Sequence, residues 1–460
     1  MTVAFKTFGC RLNRAEALDL EADFLAAGHT IVPLPPEGSV PNSSLITPHS
    51  SLSSGSVPDL IIVRGCSVTA RAQRDCEKEI EHLRKTFPFS QVIVTGCLPN
   101  VGTDPLKSLG TGPLAPPFPE GSVPNASLPS GSVPQGAALD QFPSRAFLKV
   151  QDGCSGRCAF CIVPHFRGQP VSVPFDHVLD RARTFLAAGF RELVVTGCNL
   201  ALYRSLGHGL PDLLSALAEL PAPSGSVPTH RIRLGSLEPG ICDAALLTAF
   251  ENHPNICRFI HLSVQSGSDR VLARMNRPYP IATVARFRTE ARRRLGPRLA
   301  LGADIITGFP GETDEDFQLT KSFLFPTEGS VPKGTPCQEG SVPNDTPCLE
   351  GSVPFSNLHV FPYSERPGTP AATMDGALPR AIRLARAREL EAHAKAARLA
   401  FARSFLGQDV EICVERGGDH GWTAEYLPCK LKGAPAPRRS LLSVRVTDVS
   451  DAGELIAVRP

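Results

Sequence analysis

Three cysteines spaced C-x3-C-x2-C, Cys154, Cys158 and Cys161 in KVQDGCSGRCAFCIVPHFRG, place the tightest constraint on this chain. They follow a strand-like run and share one short loop. Thiolates are soft, anionic donors suited to iron–sulfur clusters, and three of them for four irons leave one iron open. Structural zinc asks for four ligands, commonly in paired short spacings, and no matching C-x2-C or H-x3-H pair lies nearby. The loop therefore reads as a cluster site with one iron free for a substrate or cofactor.

The segments around this loop alternate between strand-like and helical. Residues 1–111 carry strand-like runs at Thr2–Thr7, Leu60–Arg64 and Gln91–Thr95, with helical runs at Arg14–Ala27 and Thr69–Thr86. Such alternation predicts a small N-terminal α/β domain with a parallel sheet. Residues 140–375 repeat it through FLKV, the helical Phe175–Ala188, ELVVTG, HRIRLGS, FIHLSVQ, LALGADIITG and NLHVFPY, which predicts a full or partial β/α barrel. A connecting helix is expected at 378–406, most clearly over Arg380–Phe405. The tail, 407–460, has strand patterning in VEICVE and SLLSVRVTDV and reads as a small β-barrel. The fold class is α/β.

GSVP recurs eight times at irregular spacing with unrelated flanks, which argues against a solenoid. Gly, Ser and Pro disfavour both helix and ladder, so these stretches read as insertions at 36–58, 112–137 (a linker), 221–229 and 326–354. Loop-closure entropy grows slowly enough with length to tolerate them. Cys337 and Cys348 fall in the last insertion and read as functionally idle.

A hydrophobic fraction of 42% in 460 residues supports a real core, and a formal charge of +2 gives no global field toward nucleic acid. The N-terminus lacks the apolar run of a signal peptide, and no stretch reaches the roughly 18 apolar residues of a membrane span. The expected location is the cytoplasm. Fourteen cysteines there point to metal or chemistry more than to disulfides.

Cys10, Cys66 and Cys97, in TFGCRLN, VRGCSVTARA and VTGCLPN, each follow a strand-like run and start a loop. In a parallel sheet those loops share the carboxyl edge, where ligands bind. Any one of them reads as a small residue at a tight strand end; together they read as a second thiolate triad.

The central spacing, with Phe160 before the last cysteine, resembles the radical S-adenosylmethionine (SAM) superfamily. The resemblance implies a β/α barrel and SAM chelated to the open iron through its amine and carboxylate. It also implies reductive cleavage to a 5′-deoxyadenosyl radical. GCRLN, CSVTARA, PHFRG, VTGCNLALY, LGSLEP, HLSVQSGSDRVLARMNR, DIITGFPGETDEDF and YSERPGTPA together resemble the methylthiotransferase family. TFGCRLN and CSVTARA look most like the members that modify N6-threonylcarbamoyladenosine beside the tRNA anticodon.

That resemblance implies two 4Fe-4S clusters, on Cys154, Cys158 and Cys161 and on Cys10, Cys66 and Cys97, the second holding sulfur on its open iron. One SAM methylates that sulfur. A second provides the radical that activates adenine C2, an unactivated aromatic C–H with no acid–base route at neutral pH. The implied partners are tRNA and an electron donor such as flavodoxin or ferredoxin, acting on a monomer. The sulfur donor is left open. Family rivals methylthiolate isopentenyladenosine in tRNA or an aspartate of a ribosomal protein. A rival of another class is a non-catalytic iron–sulfur RNA-binding protein. The chain departs from the family at Arg64-Gly65-Cys66, where Asn-Thr-Cys is usual, and in its insertions.

Other strand-end residues are candidate SAM contacts. They are Asn199 in TGCN, Ser236 and Glu238 in LGSLEP, Gln265 with Ser266 in SVQSGSD, and Gly308, Gly311 and Glu312 in GFPGET, where Gly lets backbone approach a ligand. Cys198 reads as small packing, and Cys413 and Cys429 as core. RNA phosphates have two candidate surfaces, Arg286, Arg288, Arg292, Arg293, Arg294 and Arg298, and Arg380, Arg383, Arg386, Arg388, Lys395, Arg398 and Arg403; either set also fits a solvated helix face. The tail resembles a TRAM-type RNA-binding module by position and by GWTAEYLPCKL and SVRVTDVSDAGELIAV. Its aromatics are only Trp422 and Tyr426, so stacking on bases would be limited.

Overall fold

The computed structural model describes residues 1–34, 57–66, 69–98, 144–221, 229–326 and 355–459. The four GSVP segments, with Cys337 and Cys348, lie almost wholly outside these residues.

The N-terminal unit is a parallel sheet of β1 (Thr2–Thr7), β2 (Thr30–Ile31), β3 (Leu60–Gly65) and β4 (Gln91–Gly96), in the order β2-β1-β3-β4. All six residues of β3, LIIVRG, are buried, as suits a central parallel strand covered on both faces. Helix α1 (Arg11–Ala26) follows β1 at Cys10, and α2 (Ala70–Thr86) follows β3 with the Thr69 hydroxyl capping the Ala72 N–H. Although α1 belongs to this unit by sequence, its Ala15 and Leu18 join the core of the central unit.

The central unit is built from β5 (Ala146–Asp152), β6 (Val171–Ser172), β7 (Glu192–Gly197), β8 (Arg231–Leu234), β9 (Ser236–Leu237), β10 (Phe259–Gln265), β11 (Ala300–Thr307) and β12 (Asn357–Pro362). Helices α3 (Val163–Arg167), α4 (Phe175–Ala187), α5 (Leu210–Ala218), α6 (Ala244–Asn252), α7 (Asp269–Arg274), α8 (Ile281–Leu295) and α9 (Asp314–Leu324) intervene. The strands form two sheets, β6-β5-β7-β8 and β9-β10-β11-β12. Gly235 joins them. Its N–H still bonds Val195 of β7 at 2.8 Å, whereas the next residue, Ser236, already pairs with His261 of β10. The result is a partial β/α barrel. Side chains alternate along its strands: Leu148, Val150, Ile260, Leu262, Val264, Ala303 and Ile305 enter the helix-side core. Lys149, Gln151, His261, Ser263, Gln265 and Asp304 therefore line the opposite, inner face.

Helix α10 (Arg380–Arg403) leads to a closed five-stranded barrel of β13 (Asp409–Val414), β14 (His420–Thr423), β15 (Pro428–Leu431), β17 (Leu455–Val458) and β16 (Leu441–Val449), in that order around the ring. Cys429 sits in its core and Cys413 is buried, as expected. The fold class is the α/β arrangement read from the sequence. The tail's aromatics are engaged within the protein. Trp422 and Tyr426 stack on each other with centroids 4.7 Å apart, and Tyr426 stacks on Phe259 at 4.8 Å. Arg145 lies over Trp422, and Arg11 and Arg233 lie over Tyr426. The two rings are thus packed into the end of the central barrel instead of being offered to RNA bases.

Candidate active site: two cysteine triads

Cys154, Cys158 and Cys161 occupy the loop after β5. This loop is pinned by Ala159 N–H to Met275 O (2.9 Å), Ala371 N–H to Ala159 O (2.9 Å) and Asn276 Nδ2 to Arg157 O (2.8 Å). Two sulfurs already receive hydrogen bonds. Cys154 Sγ accepts from Gly156 N–H at 3.2 Å, and Cys158 Sγ accepts from Arg277 at 2.9 Å. A Cβ at Gly156 would stand 3.2 Å from Cys154 Sγ and 3.8 Å from Cys158 Sγ, so the loop curls with these two sulfurs about one point. Donors aimed at sulfur are what a ligating thiolate needs and what tunes a cluster. Burial pushes the Cys158 thiol up, against the pull of Arg277, and pushes Cys161 up to about 11. Cluster binding must therefore displace protons from these thiols. The donor set fits a three-cysteine cluster site.

Several expected cofactor residues gather beside it. Asn199 Nδ2 bonds Glu238 at 2.8 Å and reaches Cys154 Sγ at 3.7 Å, and Glu238 pairs with Arg277 at 3.2 Å. Gln265 ends β10 at a register shift with φ +70°, a left-handed conformation rare outside glycine and found disproportionately at active sites. Ser236 is exposed at the same edge.

GFPGET comes close by another route. Phe309 packs edge-on against Phe160, and with Ala159 and Met275 forms one apolar cluster. Glu312 faces its own turn, accepting from the N–H groups of Gly308 and Phe309 and pairing with Arg386 at 3.3 Å. A Cβ on Gly308 or Gly311 would collide with Arg383 or Arg274. The Glu312 side chain thus serves its own turn, and the two glycines make room for Arg383 and Arg274. Ser266 likewise turns to Thr320 and Ser268.

Cys10, Cys66 and Cys97 stand at the carboxyl ends of β1, β3 and β4, each preceded by glycine. The glycines let the three ends converge. A Cβ on Gly9 (φ +91°) would lie 2.7 Å from Cys66 Cβ and 2.9 Å from its Sγ, and one on Gly96 would lie 2.7 Å from Gly65 O. Gly65 leaves room for Leu98, whose Cβ would be 2.5 Å from an added Cβ, and Arg64 pairs with Glu16, so the unusual Arg-Gly dipeptide has local partners. Buried Cys76 clamps the loop through Cys66 N–H to Cys76 Sγ at 3.3 Å. No described cysteine is in a disulfide.

Sequence reading missed Arg167, which ties Cys97 to β5 and α1. Arg167, at the end of α3, donates from Nε to Cys97 Sγ at 3.3 Å. It also bonds Glu16 of α1 at 2.8 Å, Asp152 of β5 at 3.1 Å and Asn13 Oδ1 at 3.0 Å. Lys149 reaches the same two carboxylates at 2.7 and 2.6 Å, and the Cys198 thiol donates to Asp152 at 3.2 Å. Cys198 is thus part of a polar network, more than packing. Burial alone would raise Glu16, but the Arg167 bond and the charges of Lys149, Arg64 and Arg167 outweigh it and bring the carboxyl down to about 2. Asp152 is also held at about 2, chiefly by Lys149 and Arg167 against its burial. Asn13, meanwhile, donates to Phe8 O and Gly65 O, tying two strand ends of the second triad to the same arginine.

Residues 148–324 match the Radical SAM superfamily, and residues 45–111 match the Uncharacterized protein family UPF0004. The chain is 27% identical to threonylcarbamoyladenosine tRNA methylthiotransferase MtaB of Thermotoga maritima, over 98% of this chain and 96% of that one. It is 30% identical to the MtaB of Rickettsia prowazekii, over 92% and 90%. It is 29% identical to tRNA-2-methylthio-N(6)-dimethylallyladenosine synthase of Novosphingobium aromaticivorans, over 91% and 88%. The chain belongs to the methylthiotransferase family of radical SAM enzymes. It is an enzyme whose cofactors are SAM and 4Fe-4S clusters. No described helix is long and apolar enough to cross a membrane.

Proposed function

We propose that the protein is a tRNA methylthiotransferase that adds a methylthio group to C2 of N6-threonylcarbamoyladenosine beside the anticodon. Cys154, Cys158 and Cys161 hold the cluster that meets SAM, and Cys10, Cys66 and Cys97 hold a second. When bound, the first supplies the electron that generates the deoxyadenosyl radical, and the second is the source of transferred sulfur. Asn199 and Glu238 orient the methionyl end of SAM, Arg277 stabilises the Cys158 thiolate, and Arg167 holds Cys97 toward the barrel.

The observation that carries this reading is the presence of two cysteine triads on strand-end loops, with Arg167 reaching from Cys97 of one to Asp152, two residues before Cys154 of the other. The choice of nucleoside rests on the TFGCRLN and CSVTARA motifs. The names of the similar methylthiotransferases of Thermotoga and Rickettsia support the same choice. The Novosphingobium relative favours isopentenyladenosine as a second reading.

For RNA, the surface of α10 is the better candidate. Arg380, Arg388, Lys395 and Arg403 are exposed along it, whereas Arg383, Arg386 and Arg398 bind Glu365, Asp314 and Asn357. In the other set, Arg288 is buried over Phe323, Arg293 pairs with Glu290, Arg294 with Glu251 and Arg298 with Glu425. Mass spectrometry of tRNA nucleosides from a deletion strain tests the proposal. Loss of the 2-methylthio derivative of threonylcarbamoyladenosine is expected; unchanged levels overturn it, and loss of the isopentenyl derivative selects the second reading.

A further inference from the structure

Two histidines and an aspartate meet on the inner face of the barrel, on three adjacent parallel strands. His261 is on β10, Asp304 on β11 and His359 on β12. The register aligns His261 with Gly302 and Asp304 with His359, so all three side chains leave the same face of the sheet. Asp304 Oδ1 is 2.9 Å from His261 Nε2 and 3.1 Å from His359 Nδ1. One ligand atom from each residue falls within 4.8 Å of the other two. The imidazole centroids are 4.6 Å apart.

The Asp304 carboxylate accepts from both imidazoles at these distances, and a cation taking the place of those protons would find the donors already near coordination spacing. With metal–ligand bonds of about 2.1 Å, two donors at right angles stand about 3.0 Å apart, which matches both measured separations. Two imidazoles and one carboxylate are a donor set for first-row divalent cations and leave coordination positions open. The site is also set in place. A Cβ on Gly302 would lie 2.3 Å from His261 Nδ1, so the ring lies flat on a residue with no side chain. His261 is 2% exposed and Asp304 18%, whereas His359 is 48% exposed and leaves the open side accessible. Arg11 is the nearby opposing charge. Its guanidinium is engaged by Leu234 O at 3.2 Å and by the Tyr426 ring, which turns it from the carboxylate.

We propose that His261, Asp304 and His359 bind a first-row divalent cation at a site sharing no residue with the cysteine triads. It lies four residues before Gln265, about 13 Å down β10 at roughly 3.3 Å per residue.

The test is an Mn2+ titration of the full-length, cluster-loaded protein, followed by the loss of the free-ion EPR signal. Mn2+ prefers oxygen and nitrogen donors and avoids thiolates. One bound ion per chain is expected, displaced by Zn2+. Its affinity should fall at least tenfold in His359→Gln, a substitution on an accessible side chain, and in Asp304→Asn, with the cluster absorbance unchanged. No bound Mn2+ at millimolar concentration, or equal binding by wild type and His359→Gln, overturns the proposal.

Discussion

Arg167 presents five N–H donors in one plane to partners on two units of the chain, and its removal affects both. Its side chain is 9% exposed, as against 11% for Glu16 and 17% for Asp152. Breaking a buried network by removing one member costs ~3–5 kcal/mol. Arg167→Leu should therefore lower the free energy of unfolding by about that much in urea and perturb the EPR spectrum of the second cluster selectively. Arg167→Lys should recover stability in part, because an ammonium cannot span Cys97, Glu16 and Asp152 at once. The carboxylates give a pH signature. Glu16 falls from an ordinary 4.5 to about 2 in the folded protein. A depressed acid contributes stability that is complete above its unfolded pKa and is lost as pH falls through its folded one. At 1.36 kcal/mol per pH unit this amounts to about 3 kcal/mol, lost between pH ~5 and ~2. Urea unfolding of wild type and Glu16→Gln across that range should show the curves converging at low pH.

At the scale of elements, the strand ends carry the site. Each N-terminal cysteine follows a glycine at the end of a parallel strand, and Gly9 has both a left-handed φ and no room for a Cβ. Gly9→Ala should cost about 1–3 kcal/mol and push Cys66 out of place, so that iron and sulfide analysis finds the second cluster lost and the central one kept. These elements were largely legible in sequence. The strand-like runs before Cys10, Cys66 and Cys97 predicted a shared carboxyl edge, and the thiol spacing of the central loop is local. The partners of Arg167 were not legible, because Glu16 lies 151 residues from it and Lys149 lies 133 residues from Glu16. No local pattern encodes such a contact. GFPGET was legible as a turn, but the use of its glycines to admit Arg274 and Arg383 depends on helices distant in sequence.

At the scale of the whole molecule, the C-terminal barrel is keyed into the central one. Glu192 is fully buried and holds Arg231 and Arg233 at 2.6 Å each. These arginines in turn donate to the carbonyls of Trp422 (2.5 Å) and Thr423 (2.7 Å). The sequence resemblance suggested an RNA-binding module with limited base stacking; the alternation of Arg231 and Arg233 with apolar residues gave no hint of that docking. Glu192→Gln leaves two buried guanidiniums short of their counter-charge. It should lower stability by several kcal/mol and speed proteolysis near residues 404–408, as read by limited digestion with mass mapping.

The central claim is that two cysteine triads are two separate cluster sites. Anaerobic reconstitution followed by iron and sulfide counts and Mössbauer spectroscopy tests it most directly. Wild type should hold two 4Fe-4S clusters. Cys154→Ala/Cys158→Ala/Cys161→Ala and Cys10→Ala/Cys66→Ala/Cys97→Ala should each retain one, with different spectra. Either triple variant holding two clusters, or wild type holding one, would contradict the account.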